Sequence, residues 1–96
     1  MSSQTIRIDG LRFLIVPPMR KHKKYSVLLY DSDSKDYQYL LSFGDSRYDQ
    51  WKDSTALKLW SKYDHRDDTR KMRYYQRHGN TDDVFSAKYW SNRFLW

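Results

Sequence analysis

The sequence predicts an α+β fold, in which an antiparallel sheet of about four strands packs against C-terminal helices. Residues 5–43 alternate between apolar and polar side chains with a period of two, which is typical of strands with one buried face. Residues 54–96 instead place apolar and aromatic side chains at helical spacing. A chain of 96 residues is long enough for one domain with one small core. We therefore expect the sheet and the helices to share that core.

The first half is predicted to form two β-hairpins that follow one another as a meander. Asp9-Gly10 separates strands over 5–8 and 11–16, and the glycine supplies the positive φ that a two-residue turn needs. Pro17-Pro18 ends the second strand, because proline has no N–H to donate to the ladder. Residues 1–4 are expected to form a mobile polar tail.

The second hairpin is predicted over residues 25–30 and 37–43. The residues between them, 31–36, are rich in Asp and Ser, which is typical of a turn. Alternation along the last strand predicts which of its side chains point into the core. These are Tyr37, Tyr39, Leu41 and Phe43.

Three helical segments are predicted in residues 54–96. Ser54 is a candidate N-cap for a short helix that reaches Tyr63. Asp64 or Asp67 is expected to cap a second helix that runs to about His78, where Gly79-Asn80 follows as a stop signal. The third segment covers residues 82–96 and presents four aromatic side chains at helical spacing. These are Phe85, Tyr89, Trp90 and Phe94.

Composition argues against several functional classes. Cysteine is absent, so no disulfide framework or thiolate chemistry is expected. The apolar run over 14–16 is too short to span a membrane, and no signal-peptide pattern is present. We expect a protein that is made in the cytosol, is not secreted and has no membrane span.

No cluster of residues predicts catalysis or a cofactor. The three histidines lack the spacing of zinc ligands. Asp64, Asp67 and Asp68 are better explained as N-capping residues than as a metal site, because the helix that follows leaves N–H groups without partners. Without a plausible nucleophile, metal set or phosphate loop, we expect a protein that is not an enzyme.

Positive charge concentrates at the two ends of the chain, whose net charge is +6. Residues 1–24 hold six basic side chains and one acidic side chain, and residues 61–96 hold eight and five. The segment between them is net acidic. This distribution favours an anionic partner or head-to-tail contact between copies of the chain.

The predicted second helix carries an arginine stripe. Its members, Arg66, Arg70, Arg73 and Arg77, follow helical spacing, and Lys71 lies beside them. Such a stripe can follow the phosphates of a nucleic acid while nearby Tyr and Trp rings stack on bases. A solvated basic helix face explains the same pattern equally well. The connector 20–24 adds four candidate phosphate contacts, namely Arg20, Lys21, Lys23 and Lys24.

The C-terminal segment is unusually aromatic. Burial in a small core is the favoured explanation for these rings. Phe94 and Trp96 are also candidate protein contacts, because an aromatic ring without chain to cover it is a surface on which a partner can bind.

The residue order across 37–96 resembles a small uncharacterised protein family encoded by large DNA viruses and some phages. The matching residues are Phe43-Gly44, Tyr63, His65, Asp67, Arg70, Tyr74, Arg77-His78, Ala87, Ser91, Arg93 and Leu95-Trp96. This chain differs in the insertion of 45–61 after the Phe-Gly pair and in Ala87-Lys88, where the family has Ala-Gly.

The resemblance implies a small non-enzymatic viral protein, because the family has no established activity. Its implied role is that of a structural or accessory protein, such as a minor component of the virion or capsid. The implied partners are other viral structural proteins or copies of itself, in the virion or in the cytoplasm of the infected cell. The alternative is a basic nucleic-acid-binding accessory protein that uses the arginine-rich helix.

Overall fold

The computed structural model describes residues 3–96 and has the predicted α+β architecture. Four strands form one antiparallel sheet in the order of the chain. They are β1 Gln4–Ile8, β2 Leu11–Val16, β3 Lys23–Asp31 and β4 Asp36–Asp45. Two helices follow, α1 Asp68–His78 and α2 Ala87–Phe94, with a 3₁₀ turn at Ser61–Tyr63 between the sheet and α1.

The first hairpin is confirmed, with Ile8 paired to Leu11 across the Asp9-Gly10 turn. Gln4 belongs to β1, and its side-chain carbonyl accepts a hydrogen bond from the N–H of Ala56 (2.7 Å). The predicted mobile tail therefore does not include Gln4. Ser3 precedes the strand, and the part of the prediction at Met1 and Ser2 lies outside the described residues.

The apolar core lies between one face of the sheet and α2. Its central ring is the fully buried Trp90, which meets Phe13 edge-on at 5.2 Å and stacks on Phe94 at 5.8 Å. Aromatic rings bury much area per residue, which suits a small core. The other buried members are Ile6, Ile15, Tyr25, Val27, Phe43 and Leu95.

A β-bulge reverses part of the predicted orientation of β4. Val27 pairs with Leu41, but Leu28 pairs with Tyr39, so β4 has one extra residue at that point. Between the bulge and the start of β4, the side chains that strict alternation would place towards the core therefore point to the opposite face of the sheet. The prediction that Tyr37 and Tyr39 point into the core is therefore wrong, whereas it is confirmed for Phe43. Tyr39 is 38% exposed and donates or accepts a hydrogen bond with Ser42 Oγ (2.8 Å) on the other face.

The helix predicted from Ser54 is absent. Side chains take the backbone N–H groups that a helix would need: Asp53 accepts from the N–H of Trp60 (3.0 Å), and the Tyr25 hydroxyl accepts from that of Leu59 (2.9 Å). Short polar side chains compete with helix formation in this way. Only the 3₁₀ turn at Ser61–Tyr63 remains helical.

A second interior region, which we call the polar core, holds this irregular segment in place. Gln50, Asp53 and Thr55 are at most 1% exposed. Asp53 accepts hydrogen bonds from the Tyr25 hydroxyl (2.5 Å) and from Thr55 Oγ1 (2.6 Å), while Gln50 donates to Asp64 Oδ1 (2.6 Å). Each of these three buried side chains has a hydrogen-bond partner, as burial requires. The polar core therefore fixes the path of the chain between β4 and α1.

The two helices begin at side-chain caps. Asp67 caps α1 by accepting hydrogen bonds from the N–H groups of Thr69 (2.9 Å) and Arg70 (3.2 Å). Of the two predicted caps, Asp64 and Asp67, the second is therefore the correct one. The third predicted helix is shorter than expected: it is capped by Ser86 rather than near Asp82. Among residues 3–96, neither helix has the length and apolar character that crossing a membrane requires.

Candidate functional site

A cleft separates α1 from the turn that follows β4. It consists of two adjoining depressions of about 300 and 250 Å³ that share Tyr48, Asp49, Arg77 and Trp96. The outer depression adds Arg70 and Arg73, and the inner one adds Lys24, Gly44, Asp45, Tyr74, His78 and Leu95. We call the whole feature the α1 cleft.

Helix α1 supplies the positive wall of the cleft. Arg70, Arg73 and Arg77 lie on one face of the helix because they are three and four residues apart. All three are exposed, and none forms a salt bridge with residues 3–96, where the one ion pair joins Arg47 to Asp45. Guanidinium groups without a carboxylate partner remain free to bind phosphate.

Aromatic rings form the floor. Trp96 stacks on Tyr74 with ring centres 4.5 Å apart and planes within 5°. The Tyr74 hydroxyl donates to Oδ1 of Asn92 (2.8 Å), which joins α1 to α2, and burial raises the pKa of Tyr74 to about 12. This stack fixes the position of the arginine face relative to the core.

His65 packs against the Trp96 ring at 5.3 Å. Its Nδ1 accepts from the N–H of Asp67 (2.9 Å), and its Nε2 is buried without a partner among residues 3–96. Burial, and then the nearby Arg70, lower the pKa of His65. The ring therefore favours its neutral form beside the cleft.

Gly44 makes the inner end of the cleft possible. Its φ is +76°, and a Cβ at this position would lie 2.8 Å from Cδ1 of Leu95 and 3.0 Å from Cβ of Lys24. Only glycine fits this close approach without strain. The Phe-Gly pair singled out in the sequence thus brings β4, β3 and the C-terminal segment together.

Lys24 lies at the inner end and is only 2% exposed. Its ammonium donates to Oε1 of Gln50, which is the one acceptor it has among residues 3–96. Burial lowers the pKa of Lys24 to about 8, and the nearby carboxylate of Asp49 opposes this effect most. The predicted phosphate contact at Lys24 is therefore an interior group rather than a member of an exposed basic connector.

The wall opposite α1 is acidic. Asp45 forms a two-point ion pair with Arg47 (2.8 and 2.9 Å), and these hydrogen bonds lower the pKa of Asp45. Asp49 is exposed and accepts no side-chain hydrogen bond from residues 3–96. The α1 cleft therefore offers cations on one side and carboxylates on the other.

The structure divides the other predicted phosphate contacts between separate surfaces. Arg66 precedes α1 with a φ of +53° and does not line the cleft. Lys71 turns to another face, where its ammonium lies 3.9 Å from the centre of the Trp51 ring. Arg20 covers the Tyr39 ring at 4.1 Å, and Lys21 and Lys23 are exposed at the turn into β3.

The two candidate protein contacts have different environments. Phe94 is 6% exposed and belongs to the apolar core, so it is not available to a partner. Trp96 is half-buried, because Tyr74 covers one face of its ring and His65 packs against it, and the residue also lines the cleft. Burial in the chain's own core, the favoured explanation, therefore holds for Phe94 and in part for Trp96.

Sequence reasoning did not find Tyr48 and Asp49 as site residues. Both lie in the turn after β4. Polar residues are common in turns for structural reasons, so their presence there does not indicate a functional site. The available signal was the Phe-Gly pair, since a glycine at the end of a strand marks a close approach of chains. Nothing in the local sequence indicates which segment approaches it.

Several residues of the pattern described in the sequence lie at or beside the cleft. Gly44, His65, Tyr74, Arg77 and Trp96 all line the α1 cleft or contact the rings that do. Comparison of the chain with known protein families, with curated proteins and with solved structures finds no match. Residues 3–96 also contain no group of three or more His or Asp side chains placed to hold a metal ion.

Proposed function

We propose that this chain is a small nucleic-acid-binding accessory protein that contacts phosphates with Arg70, Arg73 and Arg77. The observation that carries the proposal is the set of three exposed arginines on one face of α1 with no carboxylate partner among residues 3–96. If aspartates of this chain had formed ion pairs with these arginines, a solvated helix face without a partner would have been the better explanation. Binding without catalysis is part of the proposal.

The geometry adds a reason to prefer a nucleic acid over a simple anion. The arginines stand beside Tyr48 and Trp96 in one cleft, which combines phosphate contacts with aromatic rings. Proteins that bind single strands use this combination, because phosphate contacts give affinity and rings accept bases of any sequence. A net charge of +6 strengthens attraction to a polyanion over the whole surface.

A salt titration tests the proposal. A labelled 20-nucleotide single strand should bind with a log affinity that falls linearly with log salt concentration. Replacing Arg70, Arg73 and Arg77 by Gln should flatten that slope by about 2 units, at roughly 0.7 per lost contact on a single strand.

The matched control removes the same charge elsewhere. Arg7, Lys35 and Lys88 are exposed and lie outside the cleft, so their replacement by Gln also removes three positive charges. We expect this control to bind almost as well as the unaltered protein. Equal losses in both triple variants would mean that net charge, rather than the α1 face, attracts the nucleic acid, and would refute the proposal.

The second candidate is a structural role through protein contacts, as the viral resemblance implies. The observation in its favour is the exposure of large apolar side chains outside the cleft, such as Met72 (55%) and Phe85 (53%). Large exposed apolar side chains mark a contact surface where they belong to one contiguous patch. Sedimentation of the unaltered protein and of a Met72→Gln, Phe85→Gln variant tests it. If these side chains hold copies of the chain together, the substitutions should lower the molar mass of the sedimenting species towards that of a monomer.

A further inference from the structure

The α1 cleft has features that a phosphate-binding surface does not require. Its inner depression holds about 300 Å³, the lower end of the range for small-molecule sites. Phosphates in a backbone need only exposed cations, and the three arginines already supply them. The cavity beside those arginines therefore has room for another part of the same ligand.

Two aromatic rings border that space. Tyr48 is 67% exposed in the turn after β4 and is one of the residues that line both depressions. Trp96 is held in place by its stack on Tyr74. An exposed tyrosine and a fixed tryptophan that line one cleft offer aromatic surface to a flat molecule, because every base has a π-face on which such rings can stack.

Two polar side chains that line the inner depression have hydrogen-bonding capacity left over. Lys24 lines the depression, and its ammonium, which lies in the interior just below, has three N–H donors but one acceptor among residues 3–96, Gln50 Oε1. Asp49 supplies a carboxylate acceptor that lacks a side-chain donor there. A nucleobase carries both carbonyl acceptors and N–H donors on its edge, whereas a phosphate has acceptors only.

We infer that the α1 cleft holds one unpaired nucleotide base between Tyr48 and Trp96 while Arg70, Arg73 and Arg77 bind the adjoining phosphates. This inference rests on the proposed function and deepens it, because it makes single-stranded nucleic acid the ligand. A base inside a duplex is already stacked on both faces and can enter such a cleft only after it leaves the helix.

Three probes separate the base from the phosphates: a 20-nucleotide single strand, a duplex of the same length, and a heparin fragment, which has anionic groups but no bases. Tyr48→Ala should weaken binding of the single strand by about 5- to 140-fold, the range for loss of one stacked base. Binding of the duplex and of heparin should stay unchanged. Tyr48→Phe, which keeps the ring, should bind the single strand normally.

Tyr39→Ala is the matched control, because Tyr39 is also exposed but lies on the sheet. It should bind all three probes normally. The arginine triple variant should weaken all three. If Tyr48→Ala lowers binding of all three probes equally, or of none, while the arginine variant still lowers them, the base site is wrong and the proposed function stands. If the unaltered protein binds none of the three, both proposals fail.

Discussion

The apolar core and the polar core stabilise adjacent parts of the molecule by different physical means. The apolar core buries large rings such as Phe13 and Trp90 between the sheet and α2. The polar core buries Gln50, Asp53 and Thr55, whose hydrogen bonds give the segment after β4 its path. Apolar burial is non-directional and follows area, whereas a buried hydrogen-bond network depends on the geometry of every partner.

The two cores meet at the α1 cleft, which explains its position. Lys24 reaches it from β3 on the polar side, and Leu95 reaches it from the end of α2 on the apolar side. Backbone hydrogen bonds join them further, since Lys52 donates to the carbonyl of Leu95 (3.0 Å) and Ser54 to that of Phe94 (2.8 Å). Loss of either core should therefore disturb the cleft, but with different magnitudes.

Trp90→Ala should have the largest effect on stability. The ring is fully buried and contacts both Phe13 and Phe94, so its removal leaves a cavity that the rest of the core cannot fill. We expect a loss of about 3–5 kcal/mol in the free energy of unfolding, measured by urea denaturation. Trp51→Ala is the control, because that ring is only half-buried and lies outside the apolar core. If the two variants lost the same free energy of unfolding, Trp90 would contribute no more to stability than a half-buried ring outside the core.

Asp53→Ala tests the polar core. The carboxylate accepts from the Tyr25 hydroxyl, from Thr55 and from the N–H of Trp60. Its loss removes the acceptor of the Tyr25 hydroxyl and of these N–H groups, whereas Thr55 Oγ1 can still donate to Tyr25. We expect a loss of about 2–4 kcal/mol, since each unsatisfied buried group costs about 1–3 kcal/mol and water can satisfy some of them.

The control for Asp53 is Asp33→Ala, an exposed aspartate in the turn between β3 and β4. It should leave stability within about 0.5 kcal/mol of the unaltered protein. A similarly small loss for Asp53→Ala would show that the apolar core alone stabilises the chain, and that the polar network contributes no stability of its own.

The difference between the two cores also explains what the sequence could predict. Period-two alternation found the strands and the inward Phe43, because apolar burial leaves a regular pattern. The bulge that turns Tyr39 outward has no such pattern, since it depends on pairing with β3. The segment after Ser54 looked helical, because the tertiary bonds from Asp53 and Tyr25 that prevent the helix cannot be read from local spacing.

For the candidate site too, the sequence predicts the residues that lie on one helix but not those that distant segments contribute. Arg70, Arg73 and Arg77 share a helix face, which spacing alone indicates. Tyr48 and Asp49 come from a distant turn and reach that face only in the folded chain. Lys24 belonged to an apparently exposed basic run, and its burial follows from the extension of β3 to Lys23 and from its contact with Gln50.

Gly44→Ala should have an intermediate effect at the junction of the two cores. The substitution combines the strain of a positive φ with a contact of 2.8 Å to Leu95. Gly10→Ala is the matched control, because its φ is +80° and a Cβ there meets nothing within 4 Å. We expect about 1–3 kcal/mol for Gly44→Ala and about 1 kcal/mol for Gly10→Ala. Thermal denaturation of both variants measures the difference, and equal losses would show that the junction relaxes to accept a side chain.

The smallest expected effect is a pH dependence that belongs to the polar core. Burial lowers the pKa of Lys24 from 10.5 to about 8, so between these values the unfolded chain binds more protons than the folded chain. The free energy of unfolding should therefore rise with pH in this window, by about 1–2 kcal/mol from about pH 7 to about pH 9.5. Measurements should stop there, because the buried Tyr25 has a raised pKa and its unfolded form ionises above about pH 10, which acts in the opposite direction.

Urea denaturation at several pH values, with two lysine variants, isolates this contribution. Lys24→Met removes the titrating group and should abolish the rise, whereas Lys23→Met removes an exposed neighbour and should retain it. Parallel pH curves for all three proteins would mean that the Lys24 ammonium is as well solvated in the folded chain as in the unfolded chain. The inner end of the α1 cleft would then be wetter than its geometry indicates, and the polar core would resemble an ordinary surface rather than an interior.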